Sequence, residues 1–415
     1  MTTTTAPSVT TDAIRSQFPA LATPTALLEN AGGSQVPASV ANAIRDYMLT
    51  NYVQLGAGYP EADRCDAVVD GAHAFINAFM NGTATGKVVL GPSSSQLCSM
   101  LADAYRTVLE PGDEIIVAES GHEANVGPWL RLEREGVHIR WWRVDPATAA
   151  CPLDGLRELL GPRTKLVAFV HVSNLLGEIV DVAAVTQLAH EAGARVVVDG
   201  VAYAPHRAID VAAWDVDWYV YSTYKVYGPH MAALYGRHDA MAEVTGPNHF
   251  FIPRDEVPYK FELGGVSHEG CAGLLGLSPY FYFLAGHAAT AVDEPIDRAT
   301  VERACETMTA LELPLQRRLL EYLATRSDIR VVGPHDGGID RVGTISFVHR
   351  SIPSRDIVAA AHAKQVGIRN GHMYAYRLCE ALSIEPEDGV VRVSLLHYNT
   401  MDEIERMVDV LGSVH

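Results

Sequence analysis

Short apolar runs rich in valine and isoleucine recur through the first half of this 415-residue chain, each followed by a stretch with helical spacing. Residues 88–90, 114–118, 138–144, 165–171, 195–199 and 218–222 read as strands, and 39–50, 61–80, 125–135 and 182–192 as helices. A further helix follows the first of those strands and runs through Tyr105. Strands that are apolar along their whole length need cover on both faces, so the alternation predicts an α/β fold with a mostly parallel sheet between helical layers. In such a sheet the loops at the carboxyl ends of the strands carry the ligand.

The later part of the chain has a different rhythm. After an irregular Pro- and Gly-rich stretch over 247–270, a long helix is expected over 293–325. Strands at 329–332, 342–348, 366–369 and 390–394 then mix with helices at 354–364 and 401–411, the pattern of a smaller α+β domain. The expected division is an arm over 1–24, with a short helix over 11–18, that packs on the small domain. A large domain over 25–292 and a small one over 293–415 complete it. Two domains suit the length, which exceeds what one small core serves.

The chemistry concentrates at the ends of the predicted strands. Asp199 closes the run Val196-Val197-Val198-Asp199, and Lys225 lies 225 − 199 = 26 positions on, in Ser222-Thr223-Tyr224-Lys225-Val226-Tyr227-Gly228-Pro229-His230. A carboxylate at a buried strand end is costly unless a cation pairs with it, and an idle ammonium among aromatic residues is costly too. A pyridoxal phosphate (PLP) site needs both groups, a lysine for covalent attachment and an acid that keeps the pyridine nitrogen protonated. Gly91-Pro92-Ser93-Ser94-Ser95 opens a helix directly after a strand, where free N–H groups and hydroxyls suit a phosphate; taken alone it reads sooner as an ordinary N-cap with a Ser-rich turn. Ser93 and Ser94 are the expected contacts, with Ser222 and Tyr224 reaching the same phosphate. His122 follows the 114–118 strand and is placed to stack on the pyridine ring. Asn174 follows the 165–171 strand and is placed to donate to the ring's phenolic oxygen. The guanidinium fork of Arg392 suits a substrate carboxylate and, equally, a structural salt bridge.

Other classes find no support in the sequence. The net charge of −18, with no basic stretch, argues against a nucleic-acid or membrane partner. The N-terminus Met1-Thr-Thr-Thr-Thr-Ala-Pro-Ser lacks the basic-then-apolar order of a secretory signal. The six cysteines have neither CxxC nor His–Cys ligand spacing, so reduced thiols in the cytoplasm are expected, with no metal site.

Taken in order, Asn30-Ala31, Asn51-Tyr52, His122 to Asn125 with Pro128-Trp129, Ser173 to Gly177, Asp199-Gly200, Lys225 to Pro229 and Arg392-Val393-Ser394-Leu395 with Tyr398-Asn399-Thr400 resemble the class V, fold-type I PLP enzymes. The resemblance runs almost end to end, in the branch of cysteine desulfurases, isopenicillin-N epimerases and related C–S lyases. It implies that Lys225, Asp199 and His122 are catalytic, that Arg392 binds the substrate carboxylate, and that the enzyme is a homodimer with shared active sites. Asn30, Tyr374 and His372 are further expected substrate contacts. Three departures stand out. Arg369-Asn370-Gly371-His372-Met373 is followed by Tyr374, not by a loop cysteine, and Cys379 comes only later, on an expected helix. Ala202 stands where the family has a glutamine. Gly264-Gly265 replaces a phosphate-binding threonine segment, with Ser267 nearby. β-Elimination on a cysteine derivative needs no loop thiol and is the first expectation. Cysteine desulfuration, aminotransfer or epimerisation of an α-amino acid are the alternatives, and a non-catalytic PLP-binding protein is the reading from another class.

Overall fold

A computed structural model describes residues 9–287 and 296–414. In chain order the strands are β1 (Ala26–Leu27), β2 (Gly86–Gly91), β3 (Glu114–Ala118), β4 (His138–Trp142), β5 (Thr164–Val170), β6 (Arg195–Asp199), β7 (Trp218–Ser222), β8 (Ala232–Arg237), β9 (Ile329–Val332), β10 (Thr344–His349), β11 (Val366–Gly367), β12 (Arg369–Gly371) and β13 (Val390–Ser394). Seven of them form one sheet in the order β2-β8-β7-β6-β5-β3-β4. Strands β4, β3, β5, β6 and β7 run parallel; β8 opposes both β7 and β2.

The period of two in the strands sorts side chains into two cores. Val167, Phe169, Val196, Val198, Tyr219 and Tyr221 pack with Ala72, Phe75, Ile76 and Phe79 of helix Pro60–Phe79. Leu166, Ala168, Val197, Trp218 and Val220 pack with Leu97, Leu101, Ala102 and Tyr105 of helix Ser94–Tyr105. Each valine run thus serves two cores at once, which is why it shows no polar alternation. The small unit is a four-stranded antiparallel sheet, β12-β13-β10-β9, with its own core.

Several expectations are corrected. The helix expected over 125–135 is three short pieces, Glu123–Asn125, Gly127–Leu130 and Arg131–Glu135. Pro128 has no N–H to continue a helix, and the Asn125 side chain is committed to the sheet instead. Strand β8 is apolar but built of Ala, Leu and Tyr, without the β-branched signal that marked its neighbours. β1 pairs with β11, and Ala26 and Leu28 belong to the C-terminal core while Leu27 packs against the core of the large sheet, so the residues just after position 24 join the two units and do not belong to the large one alone. The long helix is Arg298–Ala324, capped by Asp297; its expected start at 293 lies outside the described residues.

Candidate active site

Strands β2, β3, β5, β6 and β7 all end on one side of the sheet, and the turns leaving them line a narrow cavity. Its walls are Ser94, Ser95, His122, Val170, Val172, Asn174, Asp199, Val201, Ala202, Tyr224 and Lys225. Asp199 ends β6 between Val170 of β5 and Val220 of β7 and is 5% exposed. The Val201 N–H donates to its Oδ1 at 2.9 Å. Burial nevertheless pushes its carboxyl up to about 6, opposed by that N–H and by the nearby Lys225.

Lys225 closes the turn Thr223–Lys225. Thr223 holds that turn four ways. Its N–H donates to Met231 O at 2.9 Å, its carbonyl accepts from Val226 N at 2.8 Å and Gly228 N at 3.0 Å, and its hydroxyl donates to Pro229 O at 2.7 Å. Ser34 braces it from outside, donating from Oγ to Tyr224 O at 3.1 Å and accepting from Tyr227 N at 2.8 Å. No hydrogen bond or ion pair to another described residue holds the Lys225 Nζ. Burial, with the Arg392 cation beside it, brings the ammonium down to about 8; Asp199 and Glu29 pull the other way.

His122 stands on a loop pinned by Asn125, whose Nδ2 donates to Phe169 O at 3.2 Å and Val197 O at 3.3 Å and whose Oδ1 accepts from the Trp129 indole at 3.0 Å. Its Nδ1 accepts the Ala124 N–H at 3.0 Å, which puts the ring proton on Nε2. Burial and the cations Lys225 and Arg392 bring its pKa down to about 4, so the imidazole is neutral at pH 7. On the phosphate side, Ser222 Oγ lies 3.0 Å from Ser94 Oγ.

The small unit closes the site with Arg392 of β13, 3% exposed and Cα-paired with Arg369 and Ser346. Its NH1 donates to Asn174 O at 3.2 Å, its NH2 lies 3.7 Å from Glu29 Oε1, and its Nε has no partner. Arg369 NH1 lies 3.4 Å from the same Glu29 oxygen. Burial lowers the Arg392 pKa to about 10.

Not every expected contact reaches the cavity. Ser93 spends its hydroxyl as the helix N-cap, accepting Gln96 N–H at 3.2 Å, and Ser95 lines the wall in its place. Asn30 is 3% exposed; its Nδ2 is held by Leu27 O, Ser394 O and Asn399 Oδ1, and its Oδ1 by the Tyr398 hydroxyl. It ties the N-terminal segment to β13 and has nothing left for a substrate. Asn174 lines the cavity, its Nδ2 donating one N–H to Met373 O at 2.7 Å and its Oδ1 left without a partner. His372 accepts the Tyr374 N–H at 3.1 Å and sits beyond the cavity wall. Ser267 caps helix His268–Leu275 through Gly270 N–H. Glu29 went unread in the sequence, although an acid between Leu27-Leu28 and Asn30-Ala31 is the signal that marks it.

A mostly parallel sheet whose strand ends bring a partnerless, half-buried lysine close to a buried aspartate defines a PLP-type site. The profile of the class V aminotransferases matches residues 26–284 and 287–407, so the chain belongs to the class V aminotransferase family. It is 37% identical over 418 residues to the aminotransferase-like protein FGM3 of Gibberella zeae, covering 97% of both chains. It is 30% identical to a probable cysteine desulfurase of Vibrio cholerae, covering 96% of both. The cysteine desulfurase CsdA of Escherichia coli superposes with a TM-score of 0.80 at 25% identity, over 97% of this chain and 98% of that one. This is a PLP-dependent enzyme of fold type I, cysteine-desulfurase-like. The residues present suit the cofactor: a lysine with no competing partner, a carboxylate kept from other side chains, and serine hydroxyls at a helix N-terminus. Among the described residues no cluster could hold a metal ion, and no helix is long and apolar enough to cross a membrane.

Proposed function

We propose that this enzyme is a C–S lyase, which eliminates the sulfur substituent of a cysteine derivative without a nucleophilic thiol of its own. The observation that supports it is the placement of the cysteines. Cys65, Cys98, Cys271, Cys305 and Cys379 are buried, Cys151 is half-buried, and none lines the Lys225 cavity. Cys379, nearest in sequence to the family's loop cysteine, lies in helix Tyr376–Ala381, and burial pushes its thiol up to about 11. A thiol that must attack a substrate sulfur has to be exposed and readily ionised, and Cys379 is neither.

In this reading Lys225 is the covalent anchor, Asp199 pairs with the ring nitrogen and His122 covers the ring. Ser94, Ser95, Ser222 and Tyr224 hold the phosphate. When bound, PLP supplies the carbonyl that couples to amines and the ring that accepts an electron pair from Cα. Lys225, with its pKa near 8, is partly neutral at assay pH and takes the α-proton. The sulfur then leaves Cβ with its bonding pair as a thiolate, and water converts the remaining enamine to pyruvate and ammonia. Arg392 holds the substrate carboxylate. Arg392→Gln is therefore expected to raise KM by about 10- to 100-fold, the range for a hydrogen bond to a charged group, with a smaller change in kcat; steady-state kinetics read it directly.

The reaction itself is tested by incubating the PLP-loaded enzyme with L-cysteine, L-cystine and S-substituted cysteines in the absence of a keto acid. Pyruvate is the expected product. Alanine with released sulfur would instead make it a desulfurase, and neither product would leave aminotransfer or epimerisation, the first of which is favoured by the 37% identity to an aminotransferase-like protein. A homodimer with shared sites belongs to the same reading. Leu49 (76% exposed), Tyr52 (65%), Phe250 (99%) and Phe251 (65%) support it, being large apolar side chains at the surface of the single chain. The free thiols suit a reducing cytoplasm.

A further inference from the structure

Met373 and Tyr374 both have left-handed backbone angles, φ 48° and 61°, although neither is glycine. Two such residues in succession are strained, and strain of this kind persists only where the surroundings over-determine it. Here two neighbouring loops and the turn itself do so. Asn174 Nδ2 donates to Met373 O at 2.7 Å, Glu123 N donates to Tyr374 O at 2.9 Å, and Tyr374 N donates to His372 Nδ1 at 3.1 Å. Arg377 adds an ion pair to Glu123 at 3.5 Å. The three hydrogen bonds all act on the backbone of the turn, yet Tyr374 itself is 63% exposed and buries little apolar area. The Tyr374 ring meets His122, with centroids 5.2 Å apart and planes tilted by 37°, and, more distantly, His372 edge-on at 6.3 Å.

We propose that Tyr374 is a positioning residue for His122, its ring packed by the strained turn so that the imidazole stays in one orientation and one tautomer at the cavity wall. The Ala124 N–H fixes the ring from one edge through Nδ1. That single hydrogen bond breaks when the ring turns over, which frees the tautomer, and the tyrosine packed on the ring opposes the turn. The inference rests on His122 acting at the reaction site, as proposed above, but its spectroscopic test needs no substrate.

Three variants separate positioning from mere structure. Tyr374→Phe keeps the ring, Tyr374→Ala removes it and keeps the strain, and Tyr374→Gly removes both. NMR of histidine-labelled PLP-loaded protein, with the His122 signals assigned by their loss in His122→Gln, reads the tautomer directly. The parent and Tyr374→Phe are expected to show the Nε2–H form alone, and the Ala and Gly variants a mixture. Loss of the α-proton from L-alanine into deuterated water, a probe independent of C–S cleavage, is expected to slow by about tenfold or more in both, the scale of a misplaced catalytic group. Tyr374→Phe is expected to stay within about threefold, since stacking needs only the ring. Because glycine prefers the left-handed region, Tyr374→Gly should melt at or above the parent temperature. An unchanged His122 tautomer in Tyr374→Gly, or a Tyr374→Gly protein that melts below the parent, overturns the proposal. Failure of every cysteine derivative to yield pyruvate would sink the lyase reading and leave this one standing.

Discussion

Lys225→Ala is expected to lose turnover by at least about 10³-fold, because the proposed function makes one side chain both the anchor and the base for the α-proton, and the cofactor-free variant is nonetheless expected to be more stable than its parent. The second effect follows from where the lysine sits. Its pKa falls from the ordinary 10.5 to about 8 because burial and Arg392 oppose its charge. Between those values the unfolded chain holds a proton that the folded one has released, so the lysine's contribution to stability rises with pH across that window. Below about pH 8 the lysine is charged in both states, and the fold carries the full penalty, at most about 3 kcal/mol. Alanine removes it. Thermal melts of the two cofactor-free proteins should favour the variant at pH 7, and the gap should close as pH approaches 10. Borohydride treatment of the PLP-loaded parent should tag the Lys225 peptide, and no peptide of the variant. A variant that keeps a tenth of the parent rate would remove Lys225 from the chemistry.

The same burial explains why this much of the site was legible from sequence. Asp199 ends β6 and Lys225 closes the turn that follows β7, both beside runs that are mostly apolar or aromatic, so each reads as an interruption with a cost attached. Strands such as Glu114–Ala118 and Arg195–Asp199 have the bounds expected of them because their β-branched runs are read locally. What stayed hidden is made by contacts between distant positions. Asn174 and Met373 are 199 positions apart, and Asn30 meets Ser394 and Asn399 across 364 and 369. No local pattern at Asn30 distinguishes a substrate contact from a residue spent on joining two units. Strand β8 was missed for another reason, its alanines carrying little strand preference of their own. Its burial comes from lying between β2 and β7, a fact of topology. Tyr374 shows the limit from the other side. The sequence reveals that a tyrosine stands where a thiol is absent, but the left-handed turn and the imidazole it meets exist only in the folded chain.

Asp199→Asn is the sharper test of the cofactor assignment, because asparagine keeps the shape and removes only the charge. The folded carboxyl titrates at about 6, above its ordinary 3.8. Below about pH 4 it is neutral in folded and unfolded chains alike and costs nothing. From there to about pH 6 only the unfolded chain ionises, so stability falls with rising pH, and above 6 the fold carries the whole cost of a buried charge, at most about 3 kcal/mol. The cofactor-free Asp199→Asn protein should therefore melt above its parent at pH 7.5 and level with it at pH 4. That gain does not add to the gain of Lys225→Ala, because the two groups attract one another and removing either one strands its partner. Binding of PLP should reverse the order. A pyridinium beside Asp199 stabilises the carboxylate that the empty cavity disfavours, so the cofactor-induced rise in melting temperature should be larger for the parent than for the variant. Turnover should fall by about 10²- to 10³-fold, the scale of losing one preorganised charge at a reaction centre, with KM little altered since Arg392 bonds to Asn174 O and neighbours Glu29, and does not contact Asp199. If the variant is instead stabilised by PLP as strongly as the parent, Asp199 does not pair with the ring nitrogen, and the cost of burying it would have to be met by some other cation in the cavity, for which Lys225 is the nearest source.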